Sequence, residues 1–326
     1  MNTIIYIGTS KLQKLVAKSS GLIVVLGLAC TALSASAQQE PMYTQYMFNT
    51  VSVNPAYAGT RNAMNLLLLS RMQWVGLEGA PRTYTFSMHT PINNYKMGIG
   101  FSIVSDHIGP VDNSYFNINY AYRVQLTEKA TLSMGIKGGI YNYYAGLKDV
   151  FLGNDNYDEA FSGNLEQKLQ PNAGVGFYLY NQRYYVGFSI PKLIESKLSD
   201  SQTEGTVLNE LKRHYFLMAG YVFDAGSDWK IKPAFIEKVV EGAPPSTDLT
   251  LQTLYKNTVW MGATYRLGDA IAFLAGVQIN RQLFVGYSYD HTTSSLASYN
   301  RGSHEIVLSF DFDGFITDKV KSPRYF

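Results

Sequence analysis

The connections between candidate strands alternate in length, and this rhythm constrains the fold more than any other feature of the chain. Fourteen stretches of strand length run from Asn62 to Phe312. Tight turns fall at Asn93-Asn94, Thr127-Glu128-Lys129, Asn181-Gln182, Gly226-Ser227, Lys256-Asn257 and Asn280-Arg281. The intervening connections are mostly longer, up to the 24 residues Leu147–Gln170 and the 22 residues Pro191–Lys212, with Gly268-Asp269 a short exception. An even number of strands, with short turns on one rim and long loops on the other, is the pattern of a transmembrane antiparallel up-and-down β-barrel. Closure is forced by the solvent, because unpaired backbone N–H and C=O groups cannot face lipid.

The predicted strands are 62–72, 82–90, 95–106, 113–126, 130–146, 170–181, 183–190, 213–225, 228–240, 247–256, 258–267, 270–280, 283–291 and 302–312. Most reach the 9–11 residues or so that a tilted strand needs to cross a bilayer. Alternation supports them. In the fourth, Phe116, Ile118, Tyr120, Tyr122 and Val124 share one face and Asn117, Asn119, Ala121 and Arg123 the other. Period two turns the first set toward lipid and the second toward the lumen. The twelfth places Ile271, Phe273, Ala275, Val277 and Ile279 outward. The last places Ile306, Leu308, Phe310 and Phe312 outward, against Glu305, Ser309 and Asp311.

Two features break the pattern. Leu66–Leu69 is apolar on both faces, and Gly98/Gly100, Gly138/Gly139 and Gly174/Gly176 sit inside strands. Glycine there permits a bend or the close approach of another backbone. Both features point to a plugged lumen, with the inner face of Leu66–Leu69 packed against something inside the barrel.

Residues 1–37 read as a secretory signal peptide. Lys11, Lys14 and Lys18 form a basic n-region, Gly21–Leu33 an apolar h-region, and Ala35-Ser36-Ala37 a cleavage site. The finished chain then starts at Gln38 in the cell outer membrane. It would lack cysteine, since the single Cys30 lies in the leader behind Gly27-Leu28-Ala29, a poor lipobox. Removing three Lys and no acid takes the count from 27 basic and 25 acidic residues to 24 and 25. No basic face for nucleic acid follows. The domains are therefore 1–37 as leader, 38–61 as a periplasmic or plug segment, 62–312 as the barrel and 313–326 as a periplasmic tail. Parity makes the tight turns periplasmic. The longer connections, including Val75–Pro81, His107–Asp112, Glu241–Ser246 and His291–Arg301, become extracellular.

Chemistry-bearing motifs are sparse. His89, His107, His214, His291 and His304 are dispersed, and Asp106-His107 and Asp290-His291 read as solvated loop tips. Asn154, Asn156 and Asp158 imitate the start of a calcium loop, but Glu159 stands where that loop needs Gly and no Glu closes it. No G-x-S-x-G, P-loop or G-x-G-x-x-G occurs. The sequence implies no enzyme, cofactor or metal. A barrel enzyme would need a Ser/His pair that no spacing suggests.

The ends carry more information. Gln39 to Asn49, QEPMYTQYMFN, is rich in aromatics and amides, and Asn54 to Gly59, NPAYAG, reads as a turn. An aromatic segment of this kind either tucks into the barrel mouth or binds a partner. These two blocks resemble the opening of the PorP/SprF family, outer-membrane proteins of the type IX secretion system in Bacteroidota. Ser70 to Tyr84, SRMQWVGLEGAPRTY, is similar as well. So are His304-Glu305-Ile306 with Leu308-Ser309-Phe310, and the ending Ser322-Pro323-Arg324-Tyr325-Phe326.

The resemblance implies a non-catalytic barrel tied to secretion, gliding motility or surface retention of a cargo protein, often a large adhesin with a type B C-terminal domain. Its expected partners are that domain, other secretion components and outer-membrane lipid. Candidate partner or plug contacts are Tyr43, Tyr46, Phe48, Trp74, Arg324, Tyr325 and Phe326. The competing expectation is a diffusion channel of the fatty-acid-transporter kind.

Overall fold

The computed structural model describes residues 40–61, 63–93, 95–149, 163–199 and 207–312. The strands in chain order are β1 (Met64–Met72), β2 (Arg82–Ile92), β3 (Met97–Ile108), β4 (Val111–Gln125), β5 (Thr131–Ala145), β6 (Leu165–Tyr180), β7 (Tyr184–Ile190), β8 (Ser196–Ser199), β9 (Val207–Leu211), β10 (His214–Tyr221), β11 (Phe223–Ala225), β12 (Trp229–Val240), β13 (Ser246–Tyr255), β14 (Val259–Arg266), β15 (Ala270–Gln278), β16 (Leu283–Thr292) and β17 (Ser303–Phe312). β8 and β9 form a separate hairpin within the connection from β7 to β10. β10 and β11 are one wall strand interrupted at Val222. The remaining strands make a closed fourteen-stranded antiparallel barrel. Its first and last strands pair across the seam, with Leu68 opposite Leu308 and Arg71 opposite Glu305, and β10 pairs β12 to complete the ring.

The alternation holds. Ile118 is 66% exposed and Phe273 58%, whereas Asn119, Ala121 and Glu305 are fully buried on the inner face. Such an apolar exterior is untenable in water and suits lipid. Aromatic side chains cluster outside the tight-turn rim, where the Trp229 ring lies 4.6 Å from Tyr255 and the Tyr221 ring 4.6 Å from Phe223, both pairs tilted. No helix among the described residues is long and apolar enough to cross a membrane. The tight turns fall on one rim. Lys256 and Asn257 both adopt positive φ, as a two-residue type I′ hairpin requires.

Several boundaries differ from the sequence reading. β6 begins at Leu165, five residues early. β3 and β4 stay paired out to Ile108 and Val111, so the predicted loop His107–Asp112 shrinks to Gly109-Pro110. That extension also corrects the loop-tip reading of Asp106, and the continuation of β16 to Thr292 corrects that of Asp290. Inside a strand, alternation turns Asp106 (3% exposed) and Asp290 (2% exposed) inward and leaves His107 and His291 outside.

Residues 43–59 lie within the ring and supply much of its core. Tyr46, Met47, Phe48, Val51, Val53, Ala56 and Tyr57 pack with Leu67 and Leu69 of β1, as the two-faced run Leu66–Leu69 requires. Two short turns shape the segment: a helical turn at Thr50–Val53 and a 3-10 turn at Pro55–Tyr57. Asn54 caps the second, accepting from Ala56 N at 3.0 Å, and Gly59 ends it at φ +68°.

Candidate functional site

The enclosed segment has an upper, a middle and a lower set of anchors. At the rim carrying the longer connections, Thr44 and Gln45 meet charged side chains from four strands. The Glu305 carboxylate accepts from Gln45 N at 2.7 Å and Thr44 N at 3.0 Å. Thr44 Oγ1 donates to Asp290 Oδ2 at 2.6 Å, and Arg71 Nη1 donates to Thr44 Oγ1 at 2.9 Å. Arg71 also pairs with Asp290 at 2.8 Å and Glu305 at 3.2 Å. Arg266 grips Asp248 with two nitrogens, at 2.9 and 3.2 Å, and Lys238 adds a contact at 3.5 Å. Every charge in this buried group has an opposite neighbour, which burial demands.

In the middle, Phe48 lies 4.5 Å from the Phe284 ring and meets Trp260 edge-on at 5.5 Å. The segment then crosses to the opposite wall. Ser189 Oγ donates to Val53 O at 2.9 Å, Asn54 Nδ2 to Phe177 O at 3.0 Å, and Ser133 Oγ to Ala56 O at 2.6 Å. Glycines make room for these approaches. A Cβ at Gly135 would lie 2.2 Å from Ala56 N, and one at Gly98 would lie 2.0 Å from Ala58 O. At the tight-turn rim, Gly59 N donates to His89 Nδ1 at 3.1 Å, Arg123 donates to Gly59 O, and Arg61 pairs with Asp311 at 3.3 Å.

The predicted contact residues separate into two groups. Tyr43, Tyr46 and Phe48 are buried inside the ring, and the Tyr43 hydroxyl shares a hydrogen bond with Thr85 Oγ1 at 2.9 Å. Trp74 stands half-buried at the rim of the longer connections, in a strained backbone at φ 45°, its backbone N–H donated to Ser303 Oγ. It lines a cleft of about 420 Å³ with Glu40, Pro41, Met42, Pro244 and Pro245 among others. Arg324, Tyr325 and Phe326 lie outside the described residues, as do Cys30, the leader, and Asn154, Asn156 and Asp158.

Sequence reasoning named Glu305 as inward-facing but passed over Arg71, Arg266 and Asp248 as its companions. It also missed Lys192, which pairs with Glu40 and places its ammonium 3.8 Å above the Tyr115 ring. Burial works to raise the Glu40 carboxyl, but Lys192, His214 and Lys137 together hold it below its ordinary value. Among the described residues, the histidine hydrogen-bond partners are Gly59, Asp112, Lys212 and Tyr287. No three His, Cys, Asp or Glu side chains there converge as metal ligands.

A family model described as "Type IX secretion system membrane protein PorP/SprF" matches residues 35–310. No curated protein matches the chain by sequence. Solved structures similar in fold include the Ralstonia pickettii toluene transporter TbuX, with TM-score 0.47, 9% identity, and 80% of this chain and 93% of that chain covered. The CymD monoaromatic hydrocarbon channel gives 0.47 at 11% identity, covering 84% and 94%. A Pseudomonas aeruginosa FadL homologue gives 0.43 at 12% identity, covering 85% and 96%.

Proposed function

The chain belongs to the PorP/SprF family of type IX secretion system membrane proteins, and from that premise we propose that it is a non-enzymatic outer-membrane barrel that binds a secreted cargo protein. It supports secretion of that cargo or holds it at the cell surface. The expected cargo is a large adhesin whose type B C-terminal domain engages the barrel and its loops, alongside other secretion components. Residues 38–61 serve as the plug, with Tyr43, Tyr46 and Phe48 as its packing contacts. Trp74 and the tail residues Arg324, Tyr325 and Phe326 are left for partners.

The observation that carries this reading is the enclosed segment itself. Thr44 and Gln45 are held by buried carboxylates and guanidinium groups, and the following residues are seated against inner-face glycines. A lumen occupied in this way favours a binding barrel over a diffusion channel, which needs a continuous path. Purification of the tagged protein from native outer membranes in mild detergent, with mass spectrometry of what accompanies it, tests the reading. Recovery of a large secreted adhesin or of type IX components is the expected result. A clean monomer in several detergents, together with small-molecule flux in liposomes, would overturn it in favour of a channel.

A further inference from the structure

The enclosed segment has a direction. Its first described residues, Glu40, Pro41 and Met42, share a cleft with Trp74, Pro81, Ile108, Pro244, Pro245 and Gly268. All of those belong to the rim of the longer connections. Thr44 is held at the same end, by Arg71 near the close of β1, Arg266 at the close of β14 and Glu305 near the start of β17. Gly59 lies at the other rim, where a Cβ added to it would meet Gly98, Thr90 and Pro91 at 2.8 to 3.0 Å, beside the tight turn after β2. Arg61 then pairs with Asp311 at the seam, and β1 starts from there. The chain therefore descends the full depth of the lumen, from long-loop rim to tight-turn rim, before its first wall strand rises back.

Outer-membrane barrels place short turns in the periplasm and long loops outside. We propose that the finished protein displays its amino-terminal end at the cell surface, because the chain enters its own lumen from the outer mouth. The sequence reading placed residues 38–61 in the periplasm or the plug. On this proposal only the end near Arg61 meets the periplasm. Leader removal after Ala37 would leave Gln38 and Gln39 ahead of Glu40, a length that reaches about 7 Å at most. The new amino-terminus cannot then reach back across the bilayer. The cleft between Pro41-Met42 and the Pro244-Pro245 connection faces outside with it, so a partner contacting these residues approaches from the exterior. This inference rests on the outer-membrane barrel taken under Proposed function, with its tight turns in the periplasm.

Thiol labelling separates the two claims, because Cys30 is the only cysteine of the full sequence. Gln39→Cys reports the amino-terminal end, Ser298→Cys the long connection before β17, and Glu128→Cys the tight turn between β4 and β5. Each variant is treated in intact cells and in permeabilised cells with a membrane-impermeant maleimide, with the parent protein as blank. The expected result is labelling of Gln39→Cys and Ser298→Cys in intact cells, and of Glu128→Cys only after permeabilisation. Ser298→Cys labelled without Gln39→Cys overturns the proposal and leaves the orientation standing. Glu128→Cys labelled in intact cells, with Ser298→Cys protected, overturns the orientation itself. An epitope inserted after Gln39 gives a second reading, since an antibody reaches a tag that a packed thiol would hide. Antibody binding to intact cells is expected, and binding only after permeabilisation overturns the proposal.

Discussion

Replacing Gly135 by Ala tests whether the segment is seated on the wall as closely as the structure shows. The new Cβ would lie 2.2 Å from Ala56 N, 2.4 Å from Pro55 C and 2.5 Å from Ala56 Cα. Ordinary contact between such atoms begins near 3.5 Å, so the two backbones must separate by about 1 Å. Neither can yield easily. Ser133 Oγ and the Asn54 side chain fix Ala56 from both sides, and β5 is paired to β4 and β6 along its length. Overpacking a rigid site costs about 1–3 kcal/mol. Loss of the Ser133 bond adds about 0.5–1.5 kcal/mol. Gly138→Ala, three residues along the same strand, is the control. Its Cβ meets nothing within 4 Å, and exchanging a strand glycine for alanine should stabilise by about 0.5–1 kcal/mol. Urea unfolding of the two variants in detergent, followed by tryptophan fluorescence, should therefore separate them by about 3 kcal/mol, more than a hundredfold in the folded-to-unfolded ratio. Coincident midpoints would refute the close seating of Pro55-Ala56 on β5, and with it the enclosed path of the segment.

Glu305→Ala removes the acceptor of Thr44 N and Gln45 N and leaves Arg71 short of a counter-charge in a buried site, so it should cost about 3–5 kcal/mol in the same assay. A smaller loss than that of an exposed glutamate such as Glu128→Ala would contradict the network. Glu40 supplies a pH dependence. Its folded value lies below the ordinary 4.5 of a glutamate carboxyl, so its contribution is complete above about pH 4.5 and is lost as pH falls through the lowered value. Lys192→Met should flatten the decline in unfolding midpoint below pH 4.5, and an unchanged slope would remove Glu40 from the anchoring. Trp74→Ala should reduce cargo recovery in the pull-down at least tenfold, about 1.4 kcal/mol, while shifting the unfolding midpoint little. Undiminished recovery would remove Trp74 from the partner surface.

The wall was readable because its rule is local. Residues two apart share a face, so Phe116, Ile118 and Tyr120 announced lipid and Asn119, Ala121 and Arg123 the lumen. The run Leu66–Leu69 announced an internal partner because an apolar inner face is stable only against another apolar surface. The identity of that partner was a long-range matter. The segment holding Tyr43, Tyr46 and Phe48 has a composition equally suited to a lumen or to another protein, and nothing in its spacing names Phe284 or Trp260 as neighbours. Asp106 and Asp290 were misread for a narrower reason. A strand end placed one or two residues early turns an inward acid into a solvated tip. Glycine was informative only in part: Gly98, Gly100 and Gly176 do face the segment, but Gly138 faces open space and Gly174 meets Pro191. A sequence records where a Cβ is missing, and the fold decides what occupies the gap.

The distribution of charge explains how so enclosed a segment can be held mainly by neutral groups. In the cluster at the long-connection end, Arg71, Arg266 and Lys238 face Asp248, Asp290 and Glu305, and all six belong to the wall. The wall is electroneutral there without the segment, which contributes only the Thr44 hydroxyl, the Gln45 amide and two backbone N–H groups. The carboxylates are already oriented by their guanidinium neighbours, so little reorganisation is needed when Thr44 and Gln45 dock on them. Charge from the segment itself enters at its two ends, where Glu40 meets Lys192 and Arg61 meets Asp311. These end pairs fix where the chain enters and leaves, and the neutral middle fixes its depth. Removing an end pair should therefore loosen a rim without unbalancing the interior, whereas removing Glu305 leaves the buried cluster one negative charge short and Arg71 with Asp290 alone. The two classes of variant should differ accordingly: the first in labelling and proteolysis at the rims, the second in global unfolding.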